Sequence, residues 1–167
     1  MSERITLIEG RRILKFSEQD FSVWVKIQMR FCDTDMMGHI NNVSMIAFLE
    51  TARVHYMNRL REIASERNLN TNVFSVILAE ITCVYKNQLF LHDDLEIGIR
   101  IPFFMRKSFP FDYVVIAKNR KDSSRVIAEA QSIQVMFDYF DNKSLEVPQE
   151  FIEVASHLEG KNIPIYR

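Results

Sequence analysis

The chain has 167 residues, 47% hydrophobic and 26% charged, ordinary proportions for one globular domain long enough to bury a core. Lysine and arginine total 21 against 22 for aspartate and glutamate, so no global field points to nucleic acid or to an acidic membrane surface. Cys32 and Cys83 lie too far apart for a CxxC zinc site or a disulfide framework, and no apolar run resembles a signal peptide or approaches the roughly 20 residues of a membrane span.

The expected protein is therefore a soluble, cytoplasmic single domain over residues 1–167, without repeats, low-complexity tracts or linkers. Residues 1–20 mix charge and apolar character without a clear period and form an N-terminal extension, where Ile13, Leu14 and Phe16 could pack a short element against the body. From Phe21, apolar residues take every odd position through Val23, Val25, Ile27, Met29 and Phe31, with Ser22, Lys26, Gln28 and Arg30 between them. That period of two predicts a strand with one buried face. Trp24, on the polar side, marks a second contact surface.

After the stretch Arg30-Phe31-Cys32-Asp33-Thr34-Asp35-Met36-Met37-Gly38-His39-Ile40-Asn41-Asn42, neither Gly nor Pro interrupts the chain from Val43 to about Ala64. Met45, Leu49, Ala52, Tyr56, Leu60 and Ile63 recur at helical spacing and predict one buried face. Asn41 or Asn42 is the expected N-cap, its side-chain oxygen taking a backbone N–H of the first turn. The opening turns, Val43 to Leu49, are apolar almost all round, as in a helix surrounded by protein. A curved sheet is the economical way to surround it.

The polar run Glu66 to Asn72 leads out of the helix. Phe74 to Tyr85 contains Val76-Ile77-Leu78-Ala79, a continuous apolar run that predicts a strand covered on both faces. Leu95, Ile97, Ile99, Ile101, Phe103 and Met105 alternate with Glu96, Gly98, Arg100 and Pro102, Pro102 marking an edge, a bulge or an outward position. Arg106-Lys107-Ser108 turns the chain into Phe109 to Lys118, where Phe109, Phe111, Tyr113, Val115 and Ala117 alternate. Asn119 to Ser124 is a polar hairpin loop. The last strand runs from about Arg125 to Phe137, with small Ala128, Ala130 and Ser132 on a face that a helix or second sheet could approach closely. Pro148 opens and Gly160 closes a short helix over 148–159. Strands joined by short polar loops pair antiparallel, so the expected class is α+β, a curved antiparallel sheet around one long central helix.

Two carboxylates, a glycine, a histidine and two amides thus stand where a strand gives way to a helix. Free N–H groups and the positive end of the helix dipole converge there, a setting suited to binding and polarising a carbonyl. By spacing alone, Asp33-Thr34-Asp35 reads first as a turn-forming and capping sequence.

The stretch from Arg30 to Asn42, continued by Phe48-Leu49-Glu50-Thr51-Ala52-Arg53, Ala128-Glu129-Ala130, Phe137-Asp138 and Pro148, resembles hotdog-fold acyl-CoA thioesterases of the 4-hydroxybenzoyl-CoA thioesterase type. The resemblance spans roughly Val23 to Phe151. It implies a thioester hydrolase acting on a fatty or aromatic acyl-CoA, without metal or cofactor, with an acyl pocket between the subunits of a homodimer or homotetramer. The family's catalytic carboxylate falls on Asp35, as nucleophile or as general base for water. A backbone N–H of Asn42 or a neighbour would hold the oxyanion, with Gly38 admitting the substrate closely and Asn41 and Asn42 lining its site. His39 would orient Asp35, bind substrate, or serve as a hydrogen-bonded loop residue. Arg106, Lys107 and Ser108 form a small basic turn that could meet the phosphates of CoA, or else a solvated tip. Glu50 is either a helix carboxylate of the kind some hotdog thioesterases use as base or a partner for Arg53. Cys32 is expected as a small buried residue, and His55, His92 and His157 as structural or exposed.

Plant-type acyl-carrier-protein thioesterases share the Asp and His at Asp35 and His39 but carry Asn where this chain has Met37, which leaves Asp35 as the main candidate. Hotdog hydratases place a His five residues after the Asp, with Asn and Pro between, a pattern not met here. Two rivals remain: acyl carrier protein as the acyl donor, and a hotdog protein that binds acyl-CoA without turning it over.

Overall fold

The longest helix, α1 (Asn42–Glu66), takes the middle of the molecule. Asn41 caps it, its side chain accepting the Ser44 N–H at 2.8 Å, which satisfies one of the donors a helix start leaves open. The computed structural model describes residues 6–8, 11–13, 16–70, 74–118 and 124–166, with side chains from Phe16 onward. The stripe Met45, Leu49, Ala52, Tyr56, Leu60 and Ile63 is buried, joined by Phe48, Met57 and Ala64. Val43 is exposed, so the first turn is not enclosed on every side.

Before the helix come β1 (Thr6–Ile8) and β2 (Arg11–Ile13), an antiparallel hairpin, and β3 (Val23–Ile27). After it come β4 (Val76–Tyr85), β5 (Asp94–Arg100), β6 (Ser108–Lys118), β7 (Ser124–Asp138), β8 (Lys143–Ser144) and a second helix, α2 (Gln149–Glu159). The main sheet runs β3-β5-β6-β7-β4, with β8 beside β7. All its pairings are antiparallel, and it curls around α1 as expected. The register aligns inward-facing side chains in rows that cross five strands. One row is Val25, Ile97, Val115 and Ala128, ending on the exposed Tyr85 of the edge strand; the next is Val23, Ile99, Tyr113, Ala130 and Cys83. Ala128 and Ala130 are fully buried in one cluster with the helix residues, so the small residues do face a bulky neighbour.

Several elements depart from their sequence pattern. The alternation after Phe21 extends beyond the strand it predicts. Phe21 precedes β3 and packs outward with Val114, Ile116, Phe16 and Trp24, which makes Trp24 part of a second contact surface. At the other end, residues Phe31–Asp33 form a single 3-10 turn that leaves Phe31 83% exposed. β4 is not covered on both faces. It is an edge strand whose ladder slips between Leu78 and Glu80, leaving Leu78 and Ala79 exposed. β5 stops at Arg100 instead of continuing to Met105. Pro102 has no N–H to offer a ladder, and the Ile101 N–H turns to a carboxylate of α2 instead. Phe104, not Phe103, is then the buried residue, bridging to Ile165. Pro148 is the N-cap of α2, and Gly160 ends it in the left-handed region at φ +68°, where glycine has no steric penalty. Leu14 and residues 119–123 of the hairpin loop expected over 119–124 lie outside the described residues, and Ser124 already belongs to β7.

That carboxylate is Glu159, buried at the end of α2. Its Oε1 accepts the Tyr56 hydroxyl at 2.7 Å and the Ile101 N–H at 3.0 Å, and its Oε2 accepts the Ser22 hydroxyl at 3.1 Å. Among the described residues no cation stands at ion-pair distance, so neutral donors from α1, from the residue after β5 and from the residue before β3 hold it. Burial, and then the Glu159 carboxylate beside it, raise the Tyr56 phenol well above its ordinary pKa, keeping it a donor. Replacing Tyr56 with Phe removes the shortest of these bonds without opening a cavity. The expected loss is about 1–3 kcal/mol, which at roughly 2–4 °C per kcal/mol for a chain of this size is read as a fall in melting temperature with the native circular dichroism retained.

Candidate active site

Backbone N–H groups left without helix or sheet partners build the site. In the turn Phe31–Asp33, the Asp33 carboxylate closes the loop by accepting the Arg30 N–H at 2.7 Å. It also accepts the Arg30 guanidinium at 3.1 Å and the Ser44 hydroxyl at 3.1 Å, tying the turn to the first turn of α1. The Asn41 N–H donates to the Asp33 carbonyl at 2.9 Å. Asp33 is buried. Its hydrogen bonds from Arg30 hold its carboxyl below the usual carboxylate range, against the opposing effect of burial.

The next turn belongs to Asp35. A Thr34–Ile40 bridge closes a small hairpin, inside which Asp35 Oδ1 accepts the N–H groups of Met37 at 2.8 Å and His39 at 3.1 Å. The Asp35 N–H returns to the His39 carbonyl at 2.8 Å, and the Gly38 N–H to the Asp35 carbonyl at 3.1 Å. Gly38 has φ +78°, with open space where a Cβ would stand. Its conformation, not crowding, is what demands glycine. Asp35 is exposed. Among the described residues, nothing donates to its Oδ2 and no cation pairs with it. The N–H groups of Asn42 and Val43, first in α1, likewise have no acceptor among the described residues. A carboxylate oriented through one oxygen and open at the other therefore stands at the entrance of a helix with free donors. That arrangement can attack or deprotonate at a carbonyl while stabilising the oxygen it charges.

His39 orients Asp35 through its main chain, while its ring meets Phe90 edge-on at 5.1 Å. His55, His92 and His157 are exposed. Asn41 is the helix cap, and Asn42 is exposed beside the carboxylate turn. Glu50 pairs with Arg53 at 3.2 Å. Cys32 is exposed, not buried, because the 3-10 turn carries it outward with Phe31. Exposed Phe31, Met36, Met37 and Val43 give the rim an apolar character. The sequence reading missed Ser44 and Phe90. A serine three residues after an Asn cap was a local signal for the first, whereas nothing local marked the second.

Arg106, Lys107 and Ser108 lie elsewhere. Ser108 opens β6 opposite Val135, whereas Lys118 closes it opposite Asp94, and the Asp35 hairpin is held at the Asp94 end through the Ile40 N–H on the Leu89 carbonyl. Ten residue steps of strand, about 33 Å, separate the two ends, so one chain does not bring the basic turn to Asp35. Lys107 Nζ bonds the Ser144 carbonyl and hydroxyl at 3.2 and 3.1 Å, and Arg106 lies 4.0 Å from Glu146. Among the described residues no three His, Cys, Asp or Glu side chains converge as a metal site, and no helix is long and apolar enough to cross a membrane.

Residues 29–154 match the thioesterase-like superfamily. The chain belongs to that superfamily, and the matched span runs from just after β3 into α2. Among curated proteins, it is 28% identical over 94 residues to the uncharacterized protein YsmA of Bacillus subtilis (strain 168), covering 56% of this chain and 60% of that one. Among solved structures it is similar to a thioesterase from Thermus thermophilus complexed with coenzyme A and Zn. The TM-score is 0.70 at 24% identity, over 86% of this chain and 98% of the other. It is also similar to a 4-hydroxybenzoyl CoA thioesterase mutant complexed with 4-hydroxybenzoyl CoA, with TM-score 0.67 and 20% identity over 80% and 98% of the two chains. The fold is the hotdog arrangement of these thioesterases.

The lowered pKa of Asp33 has a testable sign. The folded value lies below the unfolded one, so the stabilisation is fully present above the unfolded carboxylate value, about 3.9, and is lost as pH falls through the folded value. Asp33→Asn is expected to melt below wild type at pH 7, with the gap closing as the pH is taken below about 4. Melting temperatures of both proteins across that range check it.

Proposed function

We propose that the protein is an acyl-CoA thioesterase in which Asp35 carries the reaction. The observation behind this is the contrast between neighbouring carboxylates: Asp33 is buried and paired with Arg30, whereas Asp35 is exposed, oriented by two N–H groups and open at Oδ2. The thioester carbonyl lies with its oxygen toward the N–H groups of Asn42 and Val43 and its carbon toward Asp35 Oδ2. That oxygen either attacks the carbonyl carbon, expelling the CoA thiolate and leaving an anhydride for water to open, or takes the proton of an attacking water. Both routes yield the free acid and CoA. The apolar rim of Phe31, Met36, Met37 and Val43 favours an aliphatic or aromatic acyl group.

Hydrolysis across a series of acyl-CoA chain lengths, with acyl carrier protein donors alongside, tests the activity. Asp35→Asn keeps size and hydrogen bonding but removes the base or nucleophile, so kcat is expected to fall by about 10²–10⁴ with little change in melting temperature. Retention of more than about a tenth of wild-type kcat, far short of that loss, excludes Asp35 from the chemistry and makes Glu50 the next carboxylate to examine. Binding of acyl-CoA without turnover by the wild type is the result expected of a sensor.

The functional unit is a homodimer joined through β4. This ten-residue strand leaves one edge unpaired, with Leu78 and Tyr85 44% and 49% exposed, and an open edge of that kind calls for a cover. Antiparallel pairing of two β4 edges about a two-fold axis sets the Arg106–Ser108 turn of one copy at the same end of the double sheet as the Asp35 hairpin of the other. There its cations can meet the phosphates of CoA. Sedimentation is expected to show a dimer at micromolar concentration. Arg106→Gln combined with Lys107→Gln is expected to raise KM for acyl-CoA while leaving that for the matching acyl-pantetheine, which lacks the nucleotide phosphates, unchanged. A stable active monomer overturns the arrangement.

A further inference from the structure

The hydrogen bonds that Asp35 accepts arise within its own hairpin, so they cannot place that hairpin against the rest of the molecule. Two outside anchors do so. One is Asp33, through Ser44 and Asn41, to the helix. The other is the segment between β4 and β5. The Ile40 N–H donates to the Leu89 carbonyl at 2.8 Å, His39 bridges to Phe90, and their rings meet at 5.1 Å. His92 stacks on Phe90 with ring centres 5.5 Å apart.

What fixes Phe90 is a third aspartate. The Phe90 N–H donates to Asp93 Oδ2 at 2.9 Å, and the Asp93 N–H to the Phe90 carbonyl at 3.1 Å, so Asp93 closes this turn as Asp35 closes its own. The Asp93 side chain is only 1% exposed, and Arg125, 29% exposed, bonds both its oxygens. The same guanidinium donates to the Gln88 carbonyl at 3.3 Å. Arg125 is the second residue of β7, a strand flanked by β6 and β4. The Asn87 side chain, bonded to the Val126 carbonyl at 2.7 Å, and the Lys86 N–H on the Ile127 carbonyl at 2.8 Å root the segment in that strand.

We propose that Asp93 and Arg125 are positioning residues for the reaction: their ion pair holds the Phe90 turn, and through His39 and Ile40 that turn sets where the Asp35 carboxylate stands relative to the first N–H groups of α1. The proposal rests on Asp35 as the reactive carboxylate for its effect on turnover, but not for its effect on the hairpin. A carboxylate so deeply buried loses its place when its cation is removed, and a displacement of about 1 Å at a reacting group can cost on the order of 10²-fold in rate.

The test uses the full chain with Asp93→Asn, Arg125→Gln and Arg125→Lys, an acyl-CoA that the wild type hydrolyses, and amide hydrogen exchange read by NMR. Asp93→Asn and Arg125→Gln are each expected to lower kcat by about 10- to 100-fold with KM within about twofold. Exchange at the Ile40 amide, which donates to the Leu89 carbonyl, should rise by about tenfold or more while that of Leu60 in the core stays put. Arg125→Lys, which keeps the cation, should restore part of both. On the Asp35→Asn background, adding Asp93→Asn should remove no further kcat, because the group being positioned is already gone. Unchanged exchange at Ile40 overturns the proposal, as does a rise shared equally by Leu60, which marks loss of stability alone. If Asp93→Asn does not fold, Arg125→Gln, at a partly exposed site, decides. Full turnover by Asp35→Asn defeats the catalytic reading, and hydrogen exchange then decides the clamp by itself.

Discussion

The site depends on a single constraint. A chain that reverses direction repeatedly between a strand and a helix exposes N–H groups that no ladder supplies with acceptors, and buried or half-buried donors must find them. Short acidic and amide side chains do that here. Asp33, Asp35, Asn41 and Asp93 each accept backbone N–H groups from residues two to four positions away. The same chemistry that shapes the turns thus collects carboxylates at the mouth of α1. Their other partners set them apart. Asp33 and Asp93 each meet an arginine and are buried, whereas Asp35 meets only amides.

The scaffold imposes its own requirement. α1 reaches the concave sheet closely because Ala128 and Ala130 lie in the rows that also hold Val115 and Tyr113, so large and small side chains interlock. Glu159 then ties α2, α1 and the end of β5 together at one point. A polar knot inside an apolar core has directional bonds that apolar contacts lack, and it fixes the helices in one register against the sheet. The first turn of the same helix carries the two free N–H groups that serve as oxyanion donors in the proposed site.

Most of the scaffold was legible because it is periodic. The helical stripe from Met45 to Ile63 and the alternation from Phe109 to Ala117 both came to lie inside as their spacing required. The misreadings share a cause, which is that periodicity reports apolar content and not the hydrogen bonds that end an element. Phe31 continued the alternation of β3, but the Asp33 cap bent the chain into a 3-10 turn. Ile101 continued that of β5, but its N–H went to Glu159. The run Val76 to Ala79 was apolar on both faces, yet it lies at a sheet edge, where apolar character does not mean cover on both sides. At the site, Asp33 and Asp35 read as capping residues from their spacing alone, and both are. The resemblance to thioesterases added the distinction between them. Asp93 and Arg125, 32 residues apart, carried no local signal, because only the closed sheet brings them together.

Capping and the proposed reactivity are compatible at Asp35 for a geometric reason. Both N–H bonds fall on Oδ1, so the turn is satisfied while Oδ2 stays open and its direction is fixed. In the isolated chain that oxygen faces water, and a solvated carboxylate is a weak nucleophile whose interactions with nearby dipoles are damped by the solvent. The apolar rim formed by Phe31, Met36, Met37 and Val43 cannot enclose it unaided. Displacing that water needs an acyl group lying across the rim and, on the proposed dimer, a second subunit beyond it. Closure would strengthen the pull of the free N–H groups on a developing oxyanion at the same moment. The exposure of the rim is therefore not a defect in an otherwise well-packed domain. On the proposed dimer it is the surface on which substrate binding and subunit association come to depend on each other.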